Sequence, residues 1–227
     1  MAFLGWRFSD LNPNLNPNLN LNSKLTEIKI RIKIRIKKIK IMIREEARAI
    51  FLDRDGTLIE EKNYLRRPED VVILPGAGAA LGRLRRAGFR LFIVSNQSGV
   101  GRGFFTLDDV AKVNARVAAD LAADGVRFEK IYIAPEAPDQ PSRGRKPSPQ
   151  FLFDARDEFG LHLEESYFVG DKWIDLECGW SAGVKKSILV RTGYGRELEK
   201  SGHPRLADAV VVDDIAAAAA WILAQPY

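Results

Sequence analysis

The feature that most constrains the fold of this chain is an apolar run that ends in two carboxylates. Ile50-Phe51-Leu52 is followed directly by Asp53-Arg54-Asp55-Gly56-Thr57. Such a run is typical of a buried parallel strand, in which side chains two residues apart point the same way. Asp53 and Asp55 are therefore expected close together at the carboxyl end of that strand, where open α/β sheets bind their ligands.

This spacing of carboxylates suits a particular chemistry. Two like charges at close range repel unless one takes up a proton or a cation lies between them. A hard divalent ion such as Mg²⁺ would relieve the repulsion and neutralise an arriving phosphate. One carboxylate could then attack phosphorus to give an aspartyl-phosphate while the other handles the proton of the leaving group. For these residues alone, an acidic corner without chemistry remains an alternative.

Strand and helix patterns alternate along the chain after Ala47. The predicted strands are residues 48–53, 89–95, 131–133, 166–170 and 187–191. The predicted helices are residues 77–86, a helix capped by Thr106, residues 149–159 and 174–182, and an Ala-rich helix from Asp214. This alternation predicts an α/β, Rossmann-like three-layer fold around a central parallel sheet. The gaps are too short for a large cap domain, so loops 59–75 and 134–147 are expected to cover the substrate.

Polar residues also follow or precede other elements of the predicted sheet. They are Ser95-Asn96, Arg145-Lys146-Pro147 and Gly170-Asp171-Lys172. A hydroxyl and an amide can hold phosphoryl oxygens, Lys146 can neutralise their charge, and Asp171 can bind the metal. Each group alone could be a turn, a solvated charge or a helix cap. Their joint placement favours a phosphate site. We interpret Gly193-Tyr194-Gly195 as a flexible loop.

The ordered motifs resemble the haloacid dehalogenase superfamily of phosphohydrolases. The resemblance is closer to the D-glycero-D-manno-heptose-1,7-bisphosphate 7-phosphatases and the related histidinol-phosphatase domains, over about residues 47–215. It rests on five segments, namely Phe51-Leu52-Asp53-Arg54-Asp55-Gly56-Thr57, Ser95-Asn96-Gln97-Ser98-Gly99, Gly101-Arg102-Gly103, Arg145-Lys146-Pro147 and Gly170-Asp171-Lys172.

The resemblance implies a role for each matching residue. Asp53 would be the nucleophile and a Mg²⁺ ligand, and Asp55 the general acid and base that also binds metal through its carbonyl. Asp171 would complete the protein ligands, and Ser95 and Lys146 would stabilise the transferring phosphoryl group. The implied substrate contacts are Glu61, Lys62, Asn63, Tyr64, Asn96, Gln97, Ser98, Arg145 and Lys172. Only Tyr64 agrees with the family's usual early substrate loop, so the sugar contacts are less well supported than the catalytic groups.

The chain departs from many relatives in its proline-rich loop. Where they hold a structural zinc through Cys and His, this chain has Ala134-Pro135-Glu136 and Ser142-Arg143-Gly144. Zinc in a structural site needs about four N or S ligands. We therefore expect no zinc, and a loop held by prolines and packing.

The function expected from these residues is Mg²⁺-dependent hydrolysis of a small phosphate ester, with a heptose bisphosphate as the first candidate. Histidinol phosphate remains an alternative substrate. A nucleic-acid 3′-end phosphatase that uses the basic N-terminal arm, or a non-catalytic binding module, are further alternatives. Nucleic acid and membrane are not expected partners, and a monomer is expected.

The net charge of +5 is unevenly distributed. Residues 24–44 carry nine Lys or Arg against one Glu, which leaves the rest of the chain mildly acidic. Residues 11–22 repeat Leu, Asn and Pro, so residues 1–41 are expected to be a poorly ordered arm before a phosphatase domain at 42–227. From Ile28 to Ile43, Ile alternates with Lys or Arg, which is the period of a strand. The arm could bind polyanions or be incidental, with Met42 as the working start.

The cysteine content and the apolar runs bear on the cellular compartment of the protein. Cys178 is the only cysteine, which excludes an intramolecular disulfide. A reducing, cytoplasmic location is the expectation. No apolar run is suited to a signal peptide or approaches the roughly 20 residues of a membrane span.

Overall fold

The central feature of the computed structural model, which describes residues 24–35 and 48–226, is a six-stranded sheet. The strands are β1 (Ala49–Leu52), β2 (Arg90–Asn96), β3 (Phe128–Ala134), β4 (Tyr167–Gly170), β5 (Lys186–Val190) and β6 (Val210–Val212). They lie in the order β3-β2-β1-β4-β5-β6, and every neighbouring pair is parallel. The predicted parallel α/β sheet is confirmed.

Helices cover both faces of this sheet. Helix α1 comprises residues 24–35 and precedes the strands in the chain. The helices after β1 are α2 (Ala77–Arg86), α3 (Ser98–Gly101), α4 (Leu107–Ala122), α5 (Gln150–Phe159), α6 (Trp173–Ala182), α7 (Gly195–Lys200) and α8 (Ile215–Leu223). Apolar side chains of α2, α4 and α8 pack in one core, and those of α5 and α6 pack in a second. This is the predicted Rossmann-like three-layer arrangement.

Strand β1 lies at the centre of the sheet and belongs to both cores. Ile50 and Leu52 pack in the first core, whereas Ala49 and Phe51 pack in the second, because successive side chains alternate across a strand. The chain progresses from β1 to β2 on one side and pairs β1 with β4 on the other. Asp53 therefore leaves β1 at the point where the strand order reverses, which is where doubly wound sheets form a ligand crevice.

Local sequence signals explain several helix ends. Thr106 caps α4 as predicted, and its backbone N–H in turn donates to the Asp109 carboxylate at 2.8 Å. Asp214 accepts from the Ala217 N–H at 2.8 Å and starts α8. The sequence analysis missed α3, α7 and β6. Each has at most six residues, too few for a hydrophobic period to be read.

The loop between β3 and α5 spans residues 135–149 and contains no helix or strand, as predicted. The Ser142 hydroxyl donates to the Glu136 carboxylate at 2.6 Å, and the Ala137 N–H donates to Gln140 at 2.8 Å. Arg145 donates to the Glu136 carbonyl at 3.0 Å. Polar side chains thus join the two ends of this loop, in addition to the packing that was expected. Within residues 48–226, no separate cap domain interrupts the elements.

The alternation of Ile with Lys or Arg has the period of a strand, yet the part of the arm that the structure describes is not a strand. Residues 24–35 form a helix in which every residue is exposed. A lone strand leaves its backbone groups without partners, whereas a helix pairs them internally. The Arg31–Glu27 pair at 2.8 Å, one helical turn apart, adds to this. The Leu-Asn-Pro repeat at 11–22, residues 36–43 and the alternative start at Met42 lie outside the described residues. None of the described helices combines the length and apolar character that crossing a membrane requires.

Candidate active site

Asp53 is held at the end of β1 by its backbone and by one lysine. Its N–H donates to the Val169 carbonyl of β4 at 3.0 Å, and its Oδ1 accepts from Lys146 Nζ at 2.7 Å. Burial favours the neutral carboxyl, but the positive charges of Lys146 and Lys172 outweigh it and lower the pKa of Asp53. Asp53 is therefore an ionised, nearly buried carboxylate, which is the form a nucleophile needs.

Lys146 joins two carboxylates and is itself fixed from the neighbouring strand. Its ammonium lies 2.7 Å from Asp53 Oδ1 and 2.7 Å from Asp175 Oδ1. Burial opposes the charged form of Lys146, yet Asp175 and Asp53 raise its pKa. Asn96 at the end of β2 forms two hydrogen bonds with the Lys146 backbone, at 2.9 and 3.0 Å. Asn96 was predicted to contact substrate, but its amide is engaged here in placing Lys146.

Three buried carboxylates form a group that fits a divalent cation. One ligand oxygen from each of Asp53, Asp171 and Asp175 lies within 4.8 Å of the other two. The Asp171 Oδ1 atom is buried and has no hydrogen-bond partner in the described part of the chain. Burial, reinforced by Asp53, raises the pKa of Asp171 to about 8. Asp171 Oδ1 lies 3.8 Å from the Lys172 ammonium, beyond hydrogen-bond distance, and a group of carboxylate oxygens is the donor set that Mg²⁺ prefers. Asp175, whose oxygens contact Lys146 and the Lys172 N–H, was not among the predicted ligands.

Asp55 lies in a separate hydrogen-bond network. Its carboxylate pairs with Arg54 at 2.9 Å and accepts from Gln97 Nε2 at 2.9 Å. The same Gln97 nitrogen lies 2.8 Å from the Ser95 hydroxyl. Arg54 is only 1% exposed and also donates to Asn114 of α4 at 2.8 Å. The predicted acid and base is thus held in place by two donors, while the Asp55 side chain is outside the metal-binding group.

A polar cleft of about 450 Å³ opens beside these groups. Lys172 pairs with Glu61 at 2.8 Å across it, and its ammonium lies 4.9 Å from the centre of the Tyr194 ring. The residues that line the cleft are Arg54, Asp55, Glu61, Asn63, Tyr64, Leu65, Asn96, Gln97, Ser98, Gly99, Phe105, Lys172 and Tyr194. Tyr64 has a φ of 59°, in the region that favours glycine, as residues at binding loops sometimes do.

The structure brings most of the predicted site residues together, with two exceptions. Lys62 donates to the Asp70 carbonyl at 2.7 Å, and Arg145 donates to the Glu136 carbonyl. Neither side chain lines the cleft. Their substrate contacts stay predictions, as do the individual roles of the residues that do line it.

Sequence reasoning missed several residues that shape the site. Asn114 sits within a regular amphipathic helix and offers no signal of its contact with Arg54. Gly193-Tyr194 was interpreted as a flexible loop, yet the Tyr194 N–H donates to Asp171 Oδ2 at 2.9 Å. The interpretation is wrong for Gly195, which begins α7. The two glycines, Gly193 and Gly195, were the only sign in the sequence that this segment could approach other groups closely.

Comparison with known proteins agrees with this geometry. The HAD-hydrolase-like family model matches residues 144–218, which include Lys146, Asp171 and Asp175. The D-glycero-D-manno-heptose-1,7-bisphosphate 7-phosphatase of Chlorobaculum tepidum is 38% identical over 195 residues, covering 80% of this chain and 98% of that protein. The enzyme of the same name from Thermosynechococcus vestitus is 36% identical over 187 residues, covering 77% of this chain and 94% of that protein.

A solved structure gives the same result. The D,D-heptose 1,7-bisphosphate phosphatase of B. bronchiseptica, crystallised with magnesium and phosphate, is 31% identical and superposes with a TM-score of 0.72. The match covers 78% of this chain and 98% of that one. The sheet order and the cluster of aspartates and lysine agree with these relatives, and the matches cover nearly the whole length of each of them. The chain therefore belongs to the D-glycero-D-manno-heptose-1,7-bisphosphate 7-phosphatase family of haloacid dehalogenase-like phosphatases, which are phosphoric monoester hydrolases.

Proposed function

We propose that this chain removes the 7-phosphate of D-glycero-D-manno-heptose-1,7-bisphosphate, with Mg²⁺ bound and Asp53 as nucleophile. The observation that carries the proposal is the contact of Lys146 with both Asp53 and Asp175, beside Asp171, at the carboxyl end of the central strand. The names of the relatives support the sugar bisphosphate as substrate.

The first half of the reaction follows from the charges around Asp53. Lys146 binds one oxygen of its carboxylate and keeps the group ionised, which leaves the other oxygen to attack phosphorus. The bond from phosphorus to the sugar oxygen breaks as the bond to Asp53 forms. Asp55, held by Gln97, gives its proton to the departing sugar oxygen.

The second half returns the enzyme to its starting state. Asp55, now a carboxylate, accepts a proton from a water molecule that attacks the phosphorus of the aspartyl-phosphate. The products are inorganic phosphate and the original Asp53 carboxylate. Ser95 and Lys146 would bind phosphoryl oxygens through their hydroxyl and ammonium groups during both transfers, and the contact of Lys146 with Asp53 supports its part in this.

The residues that would hold Mg²⁺ are Asp53 and Asp171, with Asp175 beside them. When bound, the ion would offset the negative charge of the phosphoryl group and orient it for in-line attack. Oδ1 of Asp171 supports its assignment as a ligand, because this buried oxygen accepts no hydrogen bond in the described residues and lies 3.8 Å from the Lys172 ammonium.

The sugar would lie in the cleft between the loop after β1 and the segment after β5. Glu61, Asn63 and Tyr64 come from the first, and Tyr194 comes from the second. Hydroxyl-rich sugars suit this mixture of carboxylate, amide and phenol groups. Lys172 adds a positive charge at the same wall.

The test is a phosphate-release screen of purified protein with Mg²⁺. The substrates are the α and β anomers of the heptose bisphosphate, other sugar phosphates, histidinol phosphate and 3′-phosphorylated oligonucleotides. We expect the heptose bisphosphate to give the highest kcat/KM and Asp53→Asn to lower kcat by on the order of 10³ or more. Full-length and Met42-start protein are compared, since a requirement for the arm would point to a polyanionic substrate. A preference for another ester, or full activity in Asp53→Asn, would reject the proposal.

A further inference from the structure

Three successive residues after β5 contact either Asp171 of the metal-binding group or Gly56 in the loop after Asp53. The Thr192 hydroxyl donates to the Gly56 carbonyl at 2.5 Å, next to the Asp53–Asp55 motif. The Tyr194 N–H donates to Asp171 Oδ2 at 2.9 Å. Gly193 lies between them, against both Gly56 and Asp171. One short turn thus contacts the loops that carry the nucleophile and the metal ligand.

Gly193 allows the turn to approach more closely than any other residue could. Its φ is +53°, and a Cβ built on it would lie 2.1 Å from Asp171 Oδ2 and 2.8 Å from the Gly56 Cα. A Cβ on Gly56, whose φ is +84°, would lie 2.3 Å from the same oxygen. The Asp171 carboxylate is therefore enclosed by the backbones of two glycines. Real Cβ contacts this short do not occur, so a side chain at either position would displace the carboxylate or the turn.

The hydrogen bond from Tyr194 divides the two oxygens of Asp171 between two tasks. Oδ2 is bound to the Tyr194 N–H, whereas Oδ1 has no hydrogen-bond partner in the described residues. Oxygens of Asp53, Asp171 and Asp175 lie within 4.8 Å of one another. The bond to Oδ2 fixes the carboxylate plane and so determines where Oδ1 points. Outer groups that orient a ligand in this way contribute substantially to metal affinity.

We propose that the Thr192–Tyr194 turn is a positioning element for the divalent cation, in which the Tyr194 N–H orients Asp171 and Gly193 provides the space for it. This inference rests on the proposed metal role of Asp171. The turn also contributes the Tyr194 side chain, which lines the cleft and reaches Asn63 at 3.4 Å. The test must therefore separate the backbone N–H from the ring.

A pair of variants at Tyr194 makes that separation. Tyr194→Pro removes the aromatic ring and replaces the N–H by a ring CH₂ that faces Asp171 Oδ2, whereas Tyr194→Ala removes the aromatic ring alone. Tyr194 has a φ of −90°, about 25° from the value that proline imposes, and it is the residue immediately before α7. We expect Tyr194→Pro to bind Mn²⁺ about 10- to 100-fold more weakly than Tyr194→Ala.

A second pair tests the space at Gly193. Gly193→Ala places a methyl group against Asp171, whereas Gly202→Ala carries a similar backbone strain at a φ of +64° with nothing within 4 Å. We expect weaker Mn²⁺ binding, by a similar factor, only in Gly193→Ala. If one pair contains a variant that does not fold, as judged by circular dichroism, the other pair gives the answer.

The measurement is the dissociation constant of Mn²⁺ from metal-free protein, obtained from the paramagnetic resonance signal of free Mn²⁺ and repeated by competition with Mg²⁺. Affinities within twofold in the folded pairs would overturn the inference and leave the proposed function intact. If the unaltered protein bound no Mn²⁺, or bound it as tightly after Asp171→Ala, the metal role of Asp171 would fail and the inference with it.

Discussion

Removing Lys146 should destabilise the protein far more than removing a surface lysine. In Lys146→Met the apolar stem stays and the ammonium is lost, which leaves Asp53 and Asp175 buried without it. The three side chains are at most 5% exposed, and each ion pair is 2.7 Å long. Breaking a buried pair from one side costs about 3–5 kcal/mol. We expect a loss of this size in the free energy of unfolding at pH 8 in EDTA.

The pH dependence of this loss has a definite sign. In the unaltered protein the pKa of Asp53 is below its ordinary 3.8, so its contribution to stability is present above that pH and is lost as the pH falls through the lowered value. The pKa of Lys146 is above 10.5, so its contribution is present below that pH and is lost as the pH rises through the raised value. Both contributions are complete between these limits. In EDTA, Asp171, whose pKa is raised to about 8, takes up a proton in the folded protein below that pH, so the unaltered protein should gain stability from pH 8 to pH 5.

The variant should gain more stability in acid than the unaltered protein does. Without Lys146, burial dominates at Asp175 and is opposed by less positive charge at Asp53, so both pKa values rise. The folded variant then takes up protons that the unfolded chain does not, at about 1.4 kcal/mol per pH unit for each proton. The gap in stability between the two proteins should narrow on going from pH 8 to pH 5.

The assay is urea unfolding followed by tryptophan fluorescence in EDTA at three pH values. Lys130→Met is the matched control, because Lys130 pairs with Glu158 at 2.6 Å but both side chains are more than 40% exposed. It should change the free energy of unfolding by no more than about 1 kcal/mol at any pH. The reasoning is refuted if Lys146→Met behaves like this control, or if its gap to the unaltered protein is the same at pH 5 and pH 8.

Three further predictions concern the acid and base, the cysteine and the proline-rich loop. Gln97→Leu removes the amide that holds Asp55, so kcat for phosphate release should fall about 10²-fold in a folded protein; an unchanged kcat would show that Asp55 needs no such support. Burial raises the pKa of Cys178 to about 12, so Ellman's reagent at pH 8 should label unfolded but not native protein, and rapid native labelling would contradict the structure. Ser142→Ala removes the hydrogen bond to Glu136 and should lower the free energy of unfolding in urea by about 0.5–1.5 kcal/mol. A zinc chelator should leave the urea unfolding curve of the unaltered protein unchanged, and a shift of that curve would indicate bound metal.

The catalytic end of the sheet could be predicted because its signals are local. Asp53 and Asp55 follow an apolar strand directly, and Asp171 follows another, so the parallel arrangement alone brings them near one edge. Lys146 is on a loop far along the chain, and its position at the site was predicted only from the Arg145-Lys146-Pro147 motif. In the structure, β2 pairs with β1, and Asn96 at the end of β2 holds the Lys146 backbone, so the Lys146 ammonium lies 2.7 Å from Asp53 Oδ1.

The parts that sequence reasoning missed depend on contacts between distant segments. The bond between Arg54 and Asn114 joins residues 60 positions apart, and no periodicity encodes it. Gly193 reads as a flexible residue until Asp171 is seen against its Cα. The helix at 24–35 shows the opposite failure, because it forms where Ile begins to alternate with Lys or Arg at the period of a strand. A strand needs a partner, and alternation does not supply one.

The charges of the site explain why these distant contacts matter. Asp53, Asp171, Asp175 and Glu61, which pairs with Lys172, carry four negative charges when ionised, against the two positive charges of Lys146 and Lys172, so the fully ionised cluster has a net charge of −2. Burial, reinforced by Asp53, raises the pKa of Asp171 to about 8. A divalent cation would neutralise the cluster and so remove its repulsion of a phosphate dianion. Asp171 Oδ1 lies 3.8 Å from the Lys172 ammonium, and the Tyr194 N–H bound to Oδ2 limits how the carboxylate can turn between that lysine and a cation. The turn after β5 is therefore as much a part of the phosphate site as the motif that identifies it.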